Sequence, residues 1–309
     1  MSKGQLNVTI IGAGVFGGYH LQKAIESPHV DTVSIFDMDV ARSTRLAREK
    51  NVPLHASLDT ALTESDAVII ATPAKHHAQM ALQAIEAGCH CLIEKPLAHD
   101  EALAQRICKL AISKKRLIHV GHQERYVLKA IGLDRITERP KIIECIRENK
   151  PNNRISDVSA VLDLTIHDID MALWLMGQTP LGAMATGRST LTDMIDHIKG
   201  ELIFETSKAR LTTSRNATAQ CRKLILTYGS GGEIEVDFTS RQIRNTTSHI
   251  IQMNGLDTDM AKDPLAASDN AFYQAIIDSK AKAEISGEEG LLALEWALEI
   301  ERLAQSSSL

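Results

Sequence analysis

The sequence has no apolar run near the roughly 20 residues that a membrane-spanning helix needs, and it has no internal repeat or low-complexity tract. Its 34 Lys and Arg residues do not gather into a stripe, so the sequence indicates neither a nucleic-acid footprint nor a polybasic membrane patch. The N-terminus carries one Lys before a short apolar run that ends in glycines, which is unlike a signal peptide. These absences favour a cytoplasmic protein and leave a small anionic ligand compatible.

The cysteines are few, and they form neither an even framework nor a CxxC pair. They are Cys89, Cys91, Cys108, Cys145 and Cys221. We predict reduced thiols, in keeping with a cytoplasmic protein. The sequence also has no HExxH and no Cys/His ligand spacing, so we predict no metal site.

The length and composition are those of a globular protein with two domains. The chain has 309 residues, of which 44% are hydrophobic and 24% charged, with a net charge of -5. A chain of this length usually exceeds what a single hydrophobic core organises.

The first third alternates short apolar runs with amphipathic helical patterns, which is typical of repeated βα units and a parallel sheet. The predicted strands are 7–11, 33–36, 67–71, 89–93 and 117–120. The predicted helices are 17–26, 40–50, 76–87 and 100–114, the third capped by Gly88. We therefore predict an N-terminal Rossmann dinucleotide-binding domain over residues 1–121.

From about residue 141 the pattern changes to strands that follow one another. After the strand-like KIIECIRE and a polar connection over 149–157 comes a helical segment that stops at Gly177, and then six short strand-like runs separated by small turns. Helices over 266–280 and 288–305 close the chain. The sequence thus predicts an α/β protein whose second domain, 122–309, is α+β with a large, mainly antiparallel sheet.

GAGVFG follows the first predicted strand and opens a helix, which satisfies GxGxxG in its usual context. The set comprises Gly12, Gly14, Val15, Phe16 and Gly17. Glycines there permit a tight turn and close approach to a pyrophosphate, and the helix N-terminus supplies N–H groups. Asp37 ends the next strand about 20 residues later, where a carboxylate can bind ribose hydroxyls and favours NAD over NADP, although Arg42 nearby keeps NADP open. The alternative is a glycine turn in an ordinary α/β domain.

Two further segments follow the third and fourth predicted strands, ATPAKHHA and IEKPL. Residues just beyond the carboxyl ends of parallel strands face the ligand crevice, so we predict cofactor contacts from them. They are Thr72, Pro73, His77, Glu94 and Lys95. Lys95 would direct a cation toward the nicotinamide; alternatively it is a solvated loop lysine beside Glu94.

GHQERY follows the fifth predicted strand and offers His122 and Arg125 as substrate-binding residues. The planar fork of arginine suits a phosphate or carboxylate. Each side chain can instead pair structurally with acidic neighbours.

VLDLTIHDID, residues 161–170, places ionisable groups in a run whose apolar residues favour burial. In a helix, Asp163 and His167 share one face, Asp170 lies on the same side, and Asp168 points about a third of a turn away. A carboxylate one turn from an imidazole can hold its tautomer and favour a general base. The alternatives are that Asp163 and His167 are a pair of metal ligands, or that His167 is a structural histidine whose hydrogen bonds are satisfied.

These motifs together resemble the Gfo/Idh/MocA oxidoreductase family. The resemblance covers nearly the whole chain and is carried by IGAGVFGGYH, ATPAKHHAQMALQAIEAGCHCLIEKPLA, VGHQERY, DLTIHDID and ARLTTSRNATAQCRKLILTYGSGGEIEVDF. GHxER with VLDLxIHDID is similar to the UDP-N-acetylglucosamine 3-dehydrogenase-like branch, which oxidises nucleotide-linked amino sugars. The sequence departs from that branch after Tyr126, where Val127 and Leu128 replace its usual Asn-Pro.

The resemblance implies a catalytic trio of Lys95, Asp163 and His167. It implies that His167 takes the proton from a sugar hydroxyl, that Lys95 hydrogen-bonds the same oxygen, that Asp163 orients the site, and that the hydride goes to NAD. It also implies that the second domain serves substrate binding and oligomerisation, in a homodimer or homotetramer. Other functions left open are a dehydrogenase of a free sugar or inositol, and a non-catalytic protein that senses a dinucleotide or sugar.

Overall fold

The computed structural model describes residues 5–151, 158–190, 193–278 and 282–307. These residues form two compact units, one from Met1–Gln123 with Asp263–Leu291 and one from Glu124–Lys262 with Leu292–Leu309. Parts of two sequence-based predictions, 152–157 of the polar connection and 279–280 of a helix, lie outside the described residues.

The first unit is built on five parallel strands in the order β2-β1-β3-β4-β5. The strands are β1 Leu6–Ile11, β2 Val30–Phe36, β3 Ala67–Ile70, β4 His90–Ile93 and β5 Ile118–Val120. Its helices are α1 Val15–Glu26, α2 Val40–Lys50, α3 Leu58–Thr63, α4 Ala74–Glu86, α5 Glu101–Lys114 and, later in the chain, α9 Pro264–Ile277. Gly88 follows α4 with a φ of +94°, as its predicted capping role requires.

Two features of the first unit differ from the sequence-based prediction. The six-residue helix α3 is too short for a helical period to appear in its sequence. Helix α9, which the 121/122 boundary placed in the second domain, belongs to the first unit because it packs on α1. Lys23 of α1 contacts Asp263 at the start of α9, with Nζ and Oδ2 2.7 Å apart.

The second unit contains seven strands in the order β12-β11-β10-β6-β9-β8-β7. They are β6 Ile142–Glu148, β7 Gly182–Arg188, β8 His197–Ile203, β9 Lys208–Ser214, β10 Cys221–Thr227, β11 Glu233–Asp237 and β12 Gln242–Asn245. Every neighbouring pair is antiparallel except β6 and β9, which run parallel. The prediction of a large, mainly antiparallel sheet is therefore confirmed.

The second unit also contains helices. They include α6 Glu124–Ile131, α7 Ile166–Met176 and α8 Asp259–Lys262, and α10 Gly287–Ser306 ends in this unit. Glycines in β7 and β8 let α10 approach the sheet closely. A Cβ added at Gly187 would lie 2.9 Å from the Cβ of Ala304, and one added at Gly200 would lie 3.1 Å from Cδ1 of Ile300. Within the residues described, no helix is both long enough and apolar enough to cross a bilayer.

The segment that begins α7 departs from regular helix geometry. Residues Val161–Thr165 form a π-helical turn, in which the N–H of Ile166 reaches back to the carbonyl of Val161. Thr165 Oγ1 lies 3.3 Å from the carbonyl of Ala160 and 3.0 Å from Thr213 Oγ1 of β9. The predicted helix is thus present and ends at Gly177 as expected, but its first turn is wider, a feature that recurs at functional sites.

Candidate functional site

The glycine loop between β1 and α1 has the shape that a dinucleotide pyrophosphate requires. Gly12 has a φ of +111°, and a Cβ there would lie 2.7 Å from the carbonyl oxygen of Ala71. A Cβ at Gly17 would lie only 1.8 Å from the carbonyl oxygen of Gly12, whereas one at Gly14 would meet nothing within 4 Å. Among the described residues no side chain caps α1. The helix therefore offers its N-terminal turn to an anion.

Asp37 lies beside this loop at the end of β2. Its carboxylate accepts hydrogen bonds from the backbone N–H groups of Ala13, at 2.6 Å, and Asp39, at 2.8 Å. A carboxylate has about four lone-pair sites, so ribose hydroxyls can bind the same group. The guanidinium of Arg42 contacts Asp39 at 2.9 Å and lies 3.9 Å from Asp37. That cation is paired with acids, which fits NAD.

The segment after β3 is held by an imidazole. His77 of α4 is buried, with Nε2 2.8 Å from the carbonyl oxygen of Thr72 and Nδ1 2.8 Å from that of Pro96. It therefore links the segments that follow β3 and β4. Pro73 lies directly before α4, as its N-cap, in an exposed position. Thr72 Oγ1 is buried without a hydrogen-bond partner in the described part of the chain, which suits a bound polar ligand.

Glu94 lies at the end of β4 in a buried cluster with His20 of α1 and Asp269 of α9. His20 Nε2 is 3.0 Å from Glu94 Oε1, and its Nδ1 is 2.9 Å from Asp269 Oδ2. Burial opposes a charged ring, but the two carboxylates raise the pKa of His20 to about 10. Burial would raise the pKa of Glu94, but His20 holds it below its ordinary value. An imidazolium thus connects the glycine-loop helix to the residue before Lys95.

Lys95 is half-buried and follows Glu94 directly, in a Lys95–Pro96 peptide that is cis. His122 is buried after β5, and its backbone N–H donates to the carbonyl of Val120 at 2.7 Å. Next to it, a Cβ at Gly121 would lie 2.7 Å from Glu94 Oε1. The first unit therefore brings Glu94, Lys95 and His122 to the carboxyl ends of β4 and β5.

In the second unit, each aspartate of the VLDLTIHDID segment meets an arginine from a different part of the fold. Asp163 Oδ2 accepts from Arg215 at 2.8 Å, Asp168 Oδ1 from Arg147 at 2.7 Å, and Asp170 Oδ1 from Arg125 at 2.6 Å. Asp168 and Asp170 are fully buried, whereas Asp163 retains an exposed fraction of 25% in its side chain. These ion pairs explain how a core-like run tolerates so many charges.

The same geometry assigns Arg125 a structural contact. Its Nε and Nη2 donate to the two oxygens of Asp170 at 2.9 and 2.6 Å in the bidentate arrangement typical of arginine and a carboxylate. Substrate binding by Arg125 and by His122 stays a prediction.

His167 is the partly accessible imidazole of this segment, with 11% of its side chain exposed. Glu124 of α6 places Oε1 3.7 Å from His167 Nδ1. Arg147 donates to both Glu124 oxygens, at 3.0 and 2.6 Å, and Arg222 of β10 contacts Oε1 at 2.6 Å. Burial would raise the pKa of Glu124, but these guanidiniums hold it well below its ordinary value. A permanently ionised carboxylate therefore lies beside His167.

Sequence reasoning missed His20, Glu124, Arg147 and Arg222, although two of them leave a signal. His20 lies among Gly17, Leu21 and Ala24 on the buried face of α1, and a polar residue on that face requires a partner. Arg147 continues the inward positions of β6 after Ile143 and Cys145. In general, a charged residue at a position that the helical or strand period assigns to the core indicates a buried partner of opposite charge.

Family models match both parts of the chain. The model described as "Oxidoreductase family, NAD-binding Rossmann fold" matches residues 6–122, and the "GFO/IDH/MocA C-terminal domain" matches residues 146–235. Together they match about two thirds of the sequence. The chain belongs to the Gfo/Idh/MocA oxidoreductase family. The predicted family, fold and NAD cofactor are thereby confirmed, and the glycine loop, Asp37 and Thr72 fit that cofactor.

Individual relatives of this oxidoreductase are sugar and polyol dehydrogenases. The UDP-N-acetylglucosamine 3-dehydrogenase of Acidithiobacillus ferrooxidans is 29% identical over 86% of this chain and 87% of its own. A solved structure of that enzyme, GnnA, has a TM-score of 0.89 at 27% identity and covers 98% of this chain and 99% of its own. An inositol 2-dehydrogenase of Rhizobium meliloti is 26% identical over 93% of both chains.

The described residues carry no group of three or more His, Cys, Asp or Glu side chains that could hold a metal ion. The ionisable groups of the site are instead arranged as ion pairs around single imidazoles.

Proposed function

We propose that this oxidoreductase oxidises a secondary hydroxyl of a nucleotide-linked amino sugar, such as UDP-N-acetylglucosamine, with His167 as the base. The observation that carries this proposal is His167 itself, the partly accessible imidazole on a helix whose three aspartates are each bound by an arginine. The similarity to a UDP-N-acetylglucosamine 3-dehydrogenase over most of both chains supports the substrate class.

The chain's own residues supply positioning, a base and a cation. His167 takes the hydroxyl proton as the C–O bond becomes a carbonyl, and Lys95 hydrogen-bonds the same oxygen, where its charge stabilises the negative charge that develops. Asp163, held by Arg215, orients the sugar from the edge of the same helix. NAD, when bound, accepts the hydride that leaves the carbon.

We assign NAD to the first unit. The residues proposed to hold NAD are Gly12, Gly14, Val15, Phe16, Gly17, Asp37, Arg42, Thr72, Pro73, His77, Glu94 and Lys95. Of these, His77 and Glu94 act through the backbone segments they hold, since their side chains already bind Thr72, Pro96 and His20. Lys95, His122, Arg125, Asp163 and His167 are the residues proposed to surround the sugar.

A free polyol is the second candidate substrate, because the inositol 2-dehydrogenase aligns with 93% of this chain. The experiment is a panel with NAD that contains UDP-N-acetylglucosamine, UDP-N-acetylgalactosamine, free N-acetylglucosamine and myo-inositol, followed by NADH absorbance and identification of the keto product. Turnover of the UDP sugars alone supports the proposal. Turnover of myo-inositol alone moves the assignment to a polyol, and tight NADH binding without any product supports a sensing protein.

We also propose that the protein is a cytoplasmic homo-oligomer. The outer face of the sheet in the second unit carries Ile142, Ile146 and Ile225, which are half-buried, between ion pairs such as Arg210 with Glu144. A surface that mixes apolar side chains with paired charges suits a symmetric contact between copies. Light scattering after size exclusion tests the assembly, and a purely monomeric mass contradicts it.

A further inference from the structure

Among the residues that the structure describes, four arginines and four acids lie on or against the helix that carries His167 and its π-helical first turn. From α6 come Glu124 and Arg125, and from the helix come Asp163, Asp168 and Asp170. The remaining guanidiniums are Arg147 of β6, Arg222 of β10 and Arg215, which directly follows β9. Two acids form separate pairs, Asp163 with Arg215 and Asp170 with Arg125.

The other four charges form one connected cluster, which consists of Glu124, Arg147, Asp168 and Arg222. Arg147 lies between the two acids, 2.6 Å from Glu124 Oε2 and 2.7 Å from Asp168 Oδ1. Arg222 contacts Glu124 Oε1 at 2.6 Å, and that same oxygen is the one 3.7 Å from His167 Nδ1. The cluster contains two negative and two positive charges, so it carries no net charge.

The neutrality of the cluster matters because the cluster lies beside His167. An isolated carboxylate 3.7 Å from an imidazole would strongly favour the protonated ring and so remove the base. Here the guanidinium of Arg222 opposes that effect through the same oxygen. The carboxylate can therefore lie beside the ring without fixing a proton on it.

We propose that Glu124 and Arg222 are an opposed pair of positioning residues that set the proton affinity of His167. The proposal deepens the function proposed above, on which it rests, by naming the groups that keep the base neutral in the working enzyme. The charge of Glu124 favours a proton on the imidazole, and Arg222 cancels that charge. Neither residue touches the substrate in this role.

Removing either member exposes the opposite charge. Glu124→Gln leaves the cluster with one excess positive charge, so the pKa of His167 falls. Arg222→Met leaves one excess negative charge, so the pKa rises; methionine keeps an apolar side chain against Phe238, whose ring centre lies 4.6 Å from the guanidinium carbon. Each shift is expected to be roughly 1 to 2 pH units. The double variant restores neutrality, and its pKa returns to within about half a unit of the native value.

The direct measurement is an NMR titration of the protein labelled in its histidine rings, with the His167 resonance assigned from its absence in His167→Gln. The same variants are then assayed for the pH dependence of kcat/KM, whose acid limb reports the base of the free enzyme. Glu299→Gln and Arg302→Met remove a surface ion pair of the same unit, with Nη2 and Oε1 2.7 Å apart, and should leave His167 unmoved.

Opposite shifts in the two single variants, with cancellation in the double variant, support the proposal. Shifts of the same sign, or no shift in either, overturn it. If Glu124→Gln does not fold, Arg222→Met decides alone, and Arg222→Lys should return the pKa toward the native value. The titration needs no turnover, so a protein inactive on every sugar would contradict the proposed function and still leave this result readable.

Discussion

The two units each bury a histidine among acids, and they do so in opposite ways. In the first unit His20 lies within hydrogen-bond distance of Glu94 and Asp269, at 3.0 and 2.9 Å. In the second unit His167 lies 3.7 Å from Glu124, and arginines hold that carboxylate. The first arrangement fixes a charge on the ring, whereas the second surrounds the ring with charges that cancel.

This difference separates a histidine that supports the structure from one that can exchange a proton. A ring whose two nitrogens both donate to buried carboxylates stays cationic over the physiological range, and the pKa of His20 near 10 reflects those contacts. A base must be neutral at the working pH and accessible to its substrate. His20 is 1% exposed, while the side chain of His167 keeps 11%.

The largest expected effect is on the rate of the reaction, and it follows from substituting His167. His167→Gln removes the proposed base but retains a polar side chain of similar size, so kcat/KM should fall by roughly 10²- to 10⁴-fold. The midpoint of urea unfolding should change little, because the neighbouring charges keep their arginine partners. Initial rates of NADH formation and urea titrations measure the two quantities. Activity close to native would exclude His167 as the base, and His197→Gln, on β8 of the same unit, is the matched control.

The corresponding substitution of His20 should act on the stability of the folded state. His20→Gln removes the cation between Glu94 and Asp269, which leaves two buried carboxylates with at most an amide donor between them. Breaking such a buried ion pair costs about 3 to 5 kcal/mol. Urea unfolding curves measure the loss, and His99→Gln, at a solvent-exposed position before α5, provides the control. Native stability in His20→Gln would show that the cluster contributes nothing to the folded state.

The sequence predicted the architecture better than these charge clusters. The glycine loop, the parallel strands and the mainly antiparallel sheet follow from local periods and from the positions of Gly12, Gly14 and Gly17, so they are readable without a structure. The charges around His20 and His167 are not readable in this way, because Asp269 lies far along the chain from His20, and Glu124 and Arg222 lie far along the chain from His167. The π-helical turn likewise depends on the proximity of Thr165 to Thr213 of another element.

The pH dependence of stability offers the finest distinction between the two histidines. With a pKa of about 10 in the folded state and 6.5 as its ordinary value, His20 contributes stability that is fully present below about pH 6.5 and is lost as the pH rises toward 10. Between about pH 7 and 9 the folded state binds one proton that the unfolded state has released, so the free energy of unfolding should fall by about 1.4 kcal/mol per pH unit from this group.

Glu94 does not interfere with this test, because its pKa is held below its ordinary value and its contribution is lost only as the pH falls into the acid range. The measurement is a series of urea unfolding curves from pH 7 to 9 for the native protein, His20→Gln and His167→Gln. The slope should flatten only in His20→Gln. An equally steep slope in that variant would mean that the proton is not held on His20, and a flattened slope in His167→Gln would mean that the charges around His167 do not cancel.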